Sequence, residues 1–235
     1  MNFKTLGICI LCTLTFVCTQ ANAQDEFKAE IGGAGGGAFY IGDANTQVFK
    51  YIQPSYGGLL RYRFNQRIAG RIEFNATQIN IPDALDPKDI NVSIPILNPV
   101  RFLDFNMEFN FNDIAHNPFK HKTTRFTSYV FLGYGRTFFK YNSVERIKSA
   151  LNFGVGIKYK LAPRWNFNAQ WSNKLLNSDQ VEGLGAYADP YGLNGTNILN
   201  KDFVSNFTVA ITFDFWVRNC ACRKTTQEKP KVFKH

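Results

Sequence analysis

No apolar run in this chain is long enough to cross a membrane as a helix. The longest, Leu6 to Val17, falls short of the roughly 20 residues a bilayer requires. Lys4 precedes it and Ala21-Asn22-Ala23 follows, the charge, apolar core and small-x-small pattern of an export signal. Residues 1–23 are therefore expected to be a cleaved signal peptide, with cleavage before Gln24. A lipoprotein signal would place small residues ahead of Cys18, where Phe16 and Val17 stand instead. Cysteine is scarce as well. Of the five, Cys9, Cys12 and Cys18 leave with the signal, so Cys220 and Cys222 alone remain. That excludes the disulfide framework of a small secreted domain. Acid is in short supply: 18 acidic residues face 27 basic ones, a net +9, which becomes +8 once Lys4 is removed. An exported basic protein meets anionic lipid, polymers or acidic partners rather than nucleic acid.

What the chain does have is aromatic residues, 15% with 23 Phe, and alternation of period two. Such alternation marks a strand with two unlike faces. The last strand shows it most clearly, with Phe207, Val209, Ile211, Phe213 and Phe215 against Asn206, Thr208, Ala210, Thr212 and Asp214. The sixth sets Leu151, Phe153, Val155, Ile157 and Tyr159 against Asn152, Gly154, Gly156, Lys158 and Lys160. The fourth sets Leu103, Phe105, Met107, Phe109 and Phe111 against Asp104, Asn106, Glu108 and Asn110. The seventh sets Trp165, Phe167, Ala169 and Trp171 against Asn166, Asn168, Gln170 and Ser172. Weaker segments lie near 55–64 and 68–78. A glycine-rich first strand near 26–41 leaves its register open. A fifth strand, near 125–139, is apolar on both faces, so its faces are unassigned. Eight strands of about 10 residues or more suit a tilted crossing of a bilayer.

Connections alternate in length. Asn65-Gln66-Arg67 and Ala162-Pro163-Arg164 are short, whereas 42–54, 80–99 and 176–202 are long. Short periplasmic turns, long outer loops and an even strand number put both termini in the periplasm. The turn 112–124 departs from this pattern, being long and basic on the expected periplasmic side. Tyr40, Tyr51, Tyr56, Phe64, Trp165, Trp171 and Trp216 are candidates for interfacial girdles. The expected fold is an all-β, eight-stranded antiparallel transmembrane barrel over residues 24–217. A basic periplasmic tail, 218–235, follows it and carries a net charge of 6 − 1 = +5.

A soluble sandwich alternates too, but here the polar face carries balanced charge. Arg61, Arg63, Arg71, Lys158 and Lys160 stand against Glu30, Glu73, Asp104, Glu108 and Asp214. Inside an eight-strand barrel, side chains fill the lumen. Ions buried there must be paired, since an unpaired one costs several kcal/mol. A plugged polar lumen, rather than an open pore, follows.

Several segments in order carry a family resemblance. Phe39-Tyr40-Ile41-Gly42-Asp43-Ala44-Asn45 closes strand one. Pro54-Ser55-Tyr56-Gly57-Gly58 opens strand two, and Arg61-Tyr62-Arg63-Phe64-Asn65 ends it before Arg67-Ile68-Ala69. Then come Glu108-Phe109-Asn110-Phe111, Arg125-Phe126-Thr127-Ser128-Tyr129, Gly154-Val155-Gly156-Ile157-Lys158-Tyr159-Lys160-Leu161 and Arg164-Trp165-Asn166. Together these resemble the PorG family of small outer-membrane proteins. The resemblance implies a subunit of the type IX (Por) secretion machinery, which exports folded cargo and supports gliding or surface attachment. It also implies contact with a periplasmic ring made of a lipoprotein and its soluble partner. The alternative class is a free-standing OmpA-like structural or adhesive barrel with functional outer loops.

No catalytic residues are expected. His116, His121 and His235 lie in a periplasmic turn and at the C-terminus, without a spaced Ser or acid partner. His116 and His121 with Asp113 fall short of a metal ligand set. Gly32 to Gly37 lacks the Lys-Ser/Thr of a phosphate loop and reads as close strand packing. No metal, cofactor, small-molecule substrate or nucleic acid is expected. The expected contacts are outer-membrane lipid and the periplasmic ring. Cys220-Ala221-Cys222, with Arg218, Arg223 and Lys224 around it, is the candidate docking element. The thiols have three possible fates: a cramped local disulfide, bonds to a partner, or free thiols.

Overall fold

Eight strands form one closed antiparallel barrel in simple up-and-down order. The structure, a computed structural model, describes residues 26–42, 45, 47–82, 84, 93, 95–112, 125–178, 180–183 and 202–218. The strands are β1 (Glu26–Ile41), β2 (Gln53–Arg63), β3 (Ile68–Ile81), β4 (Ile96–Asn110), β5 (Phe126–Tyr141), β6 (Val144–Ala162), β7 (Trp165–Leu176) and β8 (Phe203–Arg218). Each pairs with its sequence neighbour. β1 closes the ring on β8, from Glu26 opposite Arg218 to Ile41 opposite Phe203. Register shifts between Phe27 and Glu30 bend β1 at the seam. Closure leaves no unpaired sheet edge along the wall, which is what hydrocarbon demands of a strand protein.

One end of the barrel carries the start of β1, the end of β8 and the connections 64–67, 111–125 and 163–164; this is the terminal end. The opposite, or loop, end carries 42–52, 82–95, 142–143 and 177–202. At the terminal end Asn65 turns the chain by accepting the amides of Arg67 (2.9 Å) and Ile68 (2.6 Å) on its side-chain oxygen. At the loop end β5 turns into β6 through Asn142 and Ser143 alone, at φ 46° and 65°. Two positive φ values in a two-residue loop make the turn whose twist matches the flanking strands. Several strands run further toward the loop end than the alternation alone indicates. β3 reaches Ile81 and β4 begins at Ile96, so the loop between them is shorter than 80–99.

The outward rows are apolar. On β6 they run from Leu161 through Tyr159, Ile157, Val155 and Phe153 to Leu151, each exposed. Ten residues at about 3.3 Å, tilted by about 40°, rise about 25 Å, the height of a membrane belt. Tyr56, Phe64, Trp165, Trp171 and Trp216 stand on this outer surface, between 46% and 67% exposed. Tyr40 does not: it is 5% exposed and points into the barrel, because it shares the inward parity of Glu30. Tyr51 is half-buried and packs on the inner apolar cluster near the loop end.

Candidate functional site: the filled lumen

Alternation delivers one row of side chains per strand to the interior. Glu30 comes from β1, Arg61 and Arg63 from β2, and Arg71 and Glu73 from β3. Asp104 and Glu108 come from β4, Lys158 and Lys160 from β6, and Asp214 from β8. All ten are at most 4% exposed. Lys174 on β7 joins them at 0%, making six cations and five anions in this strand-borne network.

Most of the charges are cross-linked rather than paired one to one, Lys174 with Asp104 being the exception. Arg61 donates to Glu30 (2.5 Å) and, from Nε, to Glu108 (2.9 Å). Arg63 donates to Glu30 (2.8 Å), Asp214 (3.1 Å) and the Phe27 carbonyl (3.1 Å). Arg71 lies 3.0 Å from Glu73 and 3.7 Å from Glu108. Lys158 sits between Glu108 (3.4 Å) and Glu30 (3.6 Å). Lys160 donates to Asp214 at 2.6 Å, and Lys174 donates to Asp104. Neutral groups complete the shell. Gln170 accepts from Arg71 and donates to Glu73, both at 2.7 Å. Thr212 donates to Glu30. Sharing of Glu30, Glu108 and Asp214 among several cations, and pairing of Lys174 with Asp104, compensate the cost of taking charge out of water.

β5 supplies no charge. Its odd residues face inward, so Tyr129 and Phe131 lie in the lumen, at 1% and 4% exposure, beneath the cations. Arg71 lies 4.4 Å over the Phe131 ring, and Arg61 and Lys158 lie 5.7 and 5.8 Å from the Tyr129 ring. These are cation–π distances. Glycines on β6 make the room: a Cβ at Gly156 would sit 2.4 Å from Tyr129 Cζ, and one at Gly154 would sit 2.7 Å from Phe131 Cζ.

Toward the loop end the filling turns apolar. Tyr40, Ile79, Ile81, Ala84, Ile96, Val100, Phe102, Phe139, Ala150, Leu176, Val181 and Val204 form one buried cluster. Asn98 pins residues 180–183 over it by donating to the carbonyls of Val181 (2.7 Å) and Lys140 (2.8 Å). Beneath lie two buried carboxylates: the Tyr40 hydroxyl donates to Asp202 (2.5 Å) and also contacts Glu182. Asp202 in turn accepts the Val181 amide at 3.0 Å.

Lys174, Tyr129, Phe131 and the Tyr40–Glu182–Asp202 group are absent from the sequence-based set. Lys174 had a signal, since it continues the polar row Asn166, Asn168, Gln170, Ser172 by one more step of two. Arg218 is the last residue of β8, opposite Glu26. Cys220, Cys222, Arg223, Lys224, Asp113 and all three histidines lie outside the described residues. Among the described residues no group of three or more His, Cys, Asp or Glu could hold a metal ion.

A closed up-and-down barrel with an apolar outer belt and an ionic interior is the plan of a bacterial outer-membrane protein. The model of the outer membrane protein beta-barrel domain matches residues 9–199. The chain belongs to that family. It is an integral protein of the outer membrane. β8, which closes the ring, lies beyond the matched residues. No curated protein matches the sequence. Among solved structures it is similar to Neisserial surface protein A, with TM-score 0.52 and 7% identity over 80% of this chain and 97% of that one. It is also similar to the N-terminal barrel of Pseudomonas aeruginosa OprF, with TM-score 0.44 and 13% identity, covering 81% and 100%. The attachment invasion locus protein Ail of Yersinia pestis matches at TM-score 0.43 and 15% identity, covering 82% and 99%. At such identities the likeness is one of fold.

Proposed function

We propose that the chain is a non-catalytic subunit of the type IX protein secretion machinery that anchors a periplasmic ring to the outer membrane. The ring is the assembly of a lipoprotein and its soluble partner implied by the sequence motifs. The observation that carries this reading is the filled lumen. Every lumen charge is at most 4% exposed, and an apolar cluster lies toward the loop end, so the described residues offer no conduit. What such a barrel contributes is a fixed position in the membrane. The motifs from Phe39-Tyr40-Ile41-Gly42 to Arg164-Trp165-Asn166 direct that position to the type IX system.

In this reading the terminal end faces the periplasm and the loop end faces outward. The basic segment after β8 is the docking element. Its charge steers an acidic partner in a salt-sensitive encounter, since screening is strong beyond about 8–10 Å at physiological salt. Cys220 and Cys222 would then hold the complex covalently. Deletion of residues 219–235 tests this. The barrel should still reach the outer membrane, while the co-purifying ring and secretion are lost; normal secretion with an intact complex refutes the docking role. Orientation is read separately on intact cells. A cysteine at Asn45 should react with an impermeant maleimide, and one at Gln66 should not.

One observation favours the alternative, a free-standing barrel acting through its outer loops. The start of β6, Val144–Ser149, extends past β7, whose pairing begins at Ala150 opposite Leu176. That projection exposes Val144 and Ile147 at 55% and 56%. A pull-down in mild detergent that yields no ring components would decide for this alternative.

A further inference from the structure

On β4 the outward row runs Phe109, Met107, Phe105, Leu103 and then Arg101. On β5 it runs Val130, Leu132, Tyr134 and then Arg136. The first polar residue beyond the belt, toward the loop end, is thus an exposed arginine on both strands. On four other strands the comparable residue is uncharged: Gln78 on β3, Ser149 on β6, Asn173 on β7 and Ser205 on β8. In the ladder Arg101 lies opposite Phe138, and Leu103 lies opposite Arg136. The two arginines are therefore diagonal neighbours on one face, with backbones about 7–8 Å apart. Among the described residues neither has a carboxylate within ion-pair distance. On the same face of the adjoining β6, Glu145 stands further out, opposite Lys140.

Like charges side by side on a sheet repel unless an anion is shared between them. Two planar guanidinium forks on long side chains at this spacing can reach one phosphate and match its oxygens. Below them, Leu103, Phe105, Leu132 and Tyr134 offer an apolar wall for acyl chains. We propose that Arg101 and Arg136 form a binding site for the phosphate of a phosphorylated glycolipid in the outer leaflet. Acyl chains of that lipid lie along β4 and β5. The inference rests on the proposed orientation, with the loop end outward.

The full-length protein, folded in detergent, is titrated by native mass spectrometry with three probes. These are a bisphosphorylated lipid A-type glycolipid, the same lipid after enzymatic dephosphorylation, and inorganic phosphate. The phosphorylated lipid should bind about tenfold more tightly than its dephosphorylated form, as expected for charge-assisted bonds. The double variant Arg101→Gln, Arg136→Gln should lose that preference. Arg125→Gln with Arg164→Gln, at the terminal end, should retain it. Heat-modifiable gel mobility shows that each variant is folded. Equal binding of the dephosphorylated lipid, or an unaffected Arg101/Arg136 variant, overturns the site. Displacement of the lipid by millimolar inorganic phosphate makes it a free-anion site and likewise overturns the proposal. The binding assay does not depend on orientation. If Asn45→Cys proves periplasmic while binding persists, the orientation has failed, the site stands, and the outer-leaflet assignment falls.

Discussion

Replacement of Asp104 by Asn separates two ways of burying charge. Lys174 is fully buried, and Asp104 is the one carboxylate within 4 Å of it among the described residues. Asp104→Asn keeps the shape and an acceptor oxygen but leaves the ammonium without a counter-charge, with the Phe102 ring 4.5 Å away. Removing one partner of a buried ion pair costs about 3–5 kcal/mol, or about two to three and a half powers of ten in the folding equilibrium. Glu108→Gln is the contrast. Each of its three cations keeps another carboxylate: Arg61 keeps Glu30 at 2.5 Å, Lys158 keeps Glu30 at 3.6 Å and Arg71 keeps Glu73 at 3.0 Å. Its cost should fall to about 1–2 kcal/mol, the scale of a lost buried hydrogen bond. The assay is reversible urea unfolding in phospholipid vesicles, followed by tryptophan fluorescence. Adding Lys174→Met to Asp104→Asn should recover most of the loss, a coupling measurable in a double-mutant cycle. The reasoning is refuted if Asp104→Asn and Glu108→Gln cost the same, or if the Asp104 and Lys174 substitutions simply add.

The glycines of β1 divide by face. A Cβ at Gly36 would lie 2.0 Å from the Phe207 carbonyl oxygen, whereas at Gly35 nothing lies within 4 Å. Gly36→Ala should therefore destabilise by about 1–3 kcal/mol, and Gly35→Ala by no more than about 0.5 kcal/mol, in the same vesicle assay. Ser143→Gly should stabilise the barrel by about 0.5 kcal/mol, because Ser143 holds φ 65° in a two-residue turn; a raised urea midpoint checks it. Planar-bilayer recordings should show no steady conductance from the wild-type barrel, and large stable channels would contradict a lumen filled by side chains.

The strands were legible because lipid and ion network impose opposite chemistry on alternate residues. Over residues 103–110 of β4, 151–160 of β6 and 165–172 of β7 the apolar row and the polar row are unmixed. β5 defeated that reading for a physical reason. Its inward row carries aromatic rings as its outward one does: Tyr129 and Phe131 lie opposite the glycines of β6, and Phe139 lies in the apolar cluster toward the loop end. The register of β1 was equally hidden, since a glycine run presents no side chains to sort; Glu30, locked to Arg61 and Arg63, reveals which parity faces in. The placement of Tyr40 as an interfacial aromatic failed because its partners, Glu182 and Asp202, lie about 140 and 160 residues along the chain. The proposed docking by residues after β8 depends on a partner chain, and no periodicity within one sequence carries that information.

The cross-linking of the lumen also has a mechanical meaning. Arg61 ties β2 to β1 and β4, Arg63 ties β2 to β1 and β8, and Lys174 ties β7 to β4. A hollow barrel pulled at one strand yields like a zipper, one row of backbone bonds at a time, beginning at the β1–β8 seam. Here the seam strands are staked from within by Glu30 and Asp214, so a load on either end spreads around the circumference before any strand can peel.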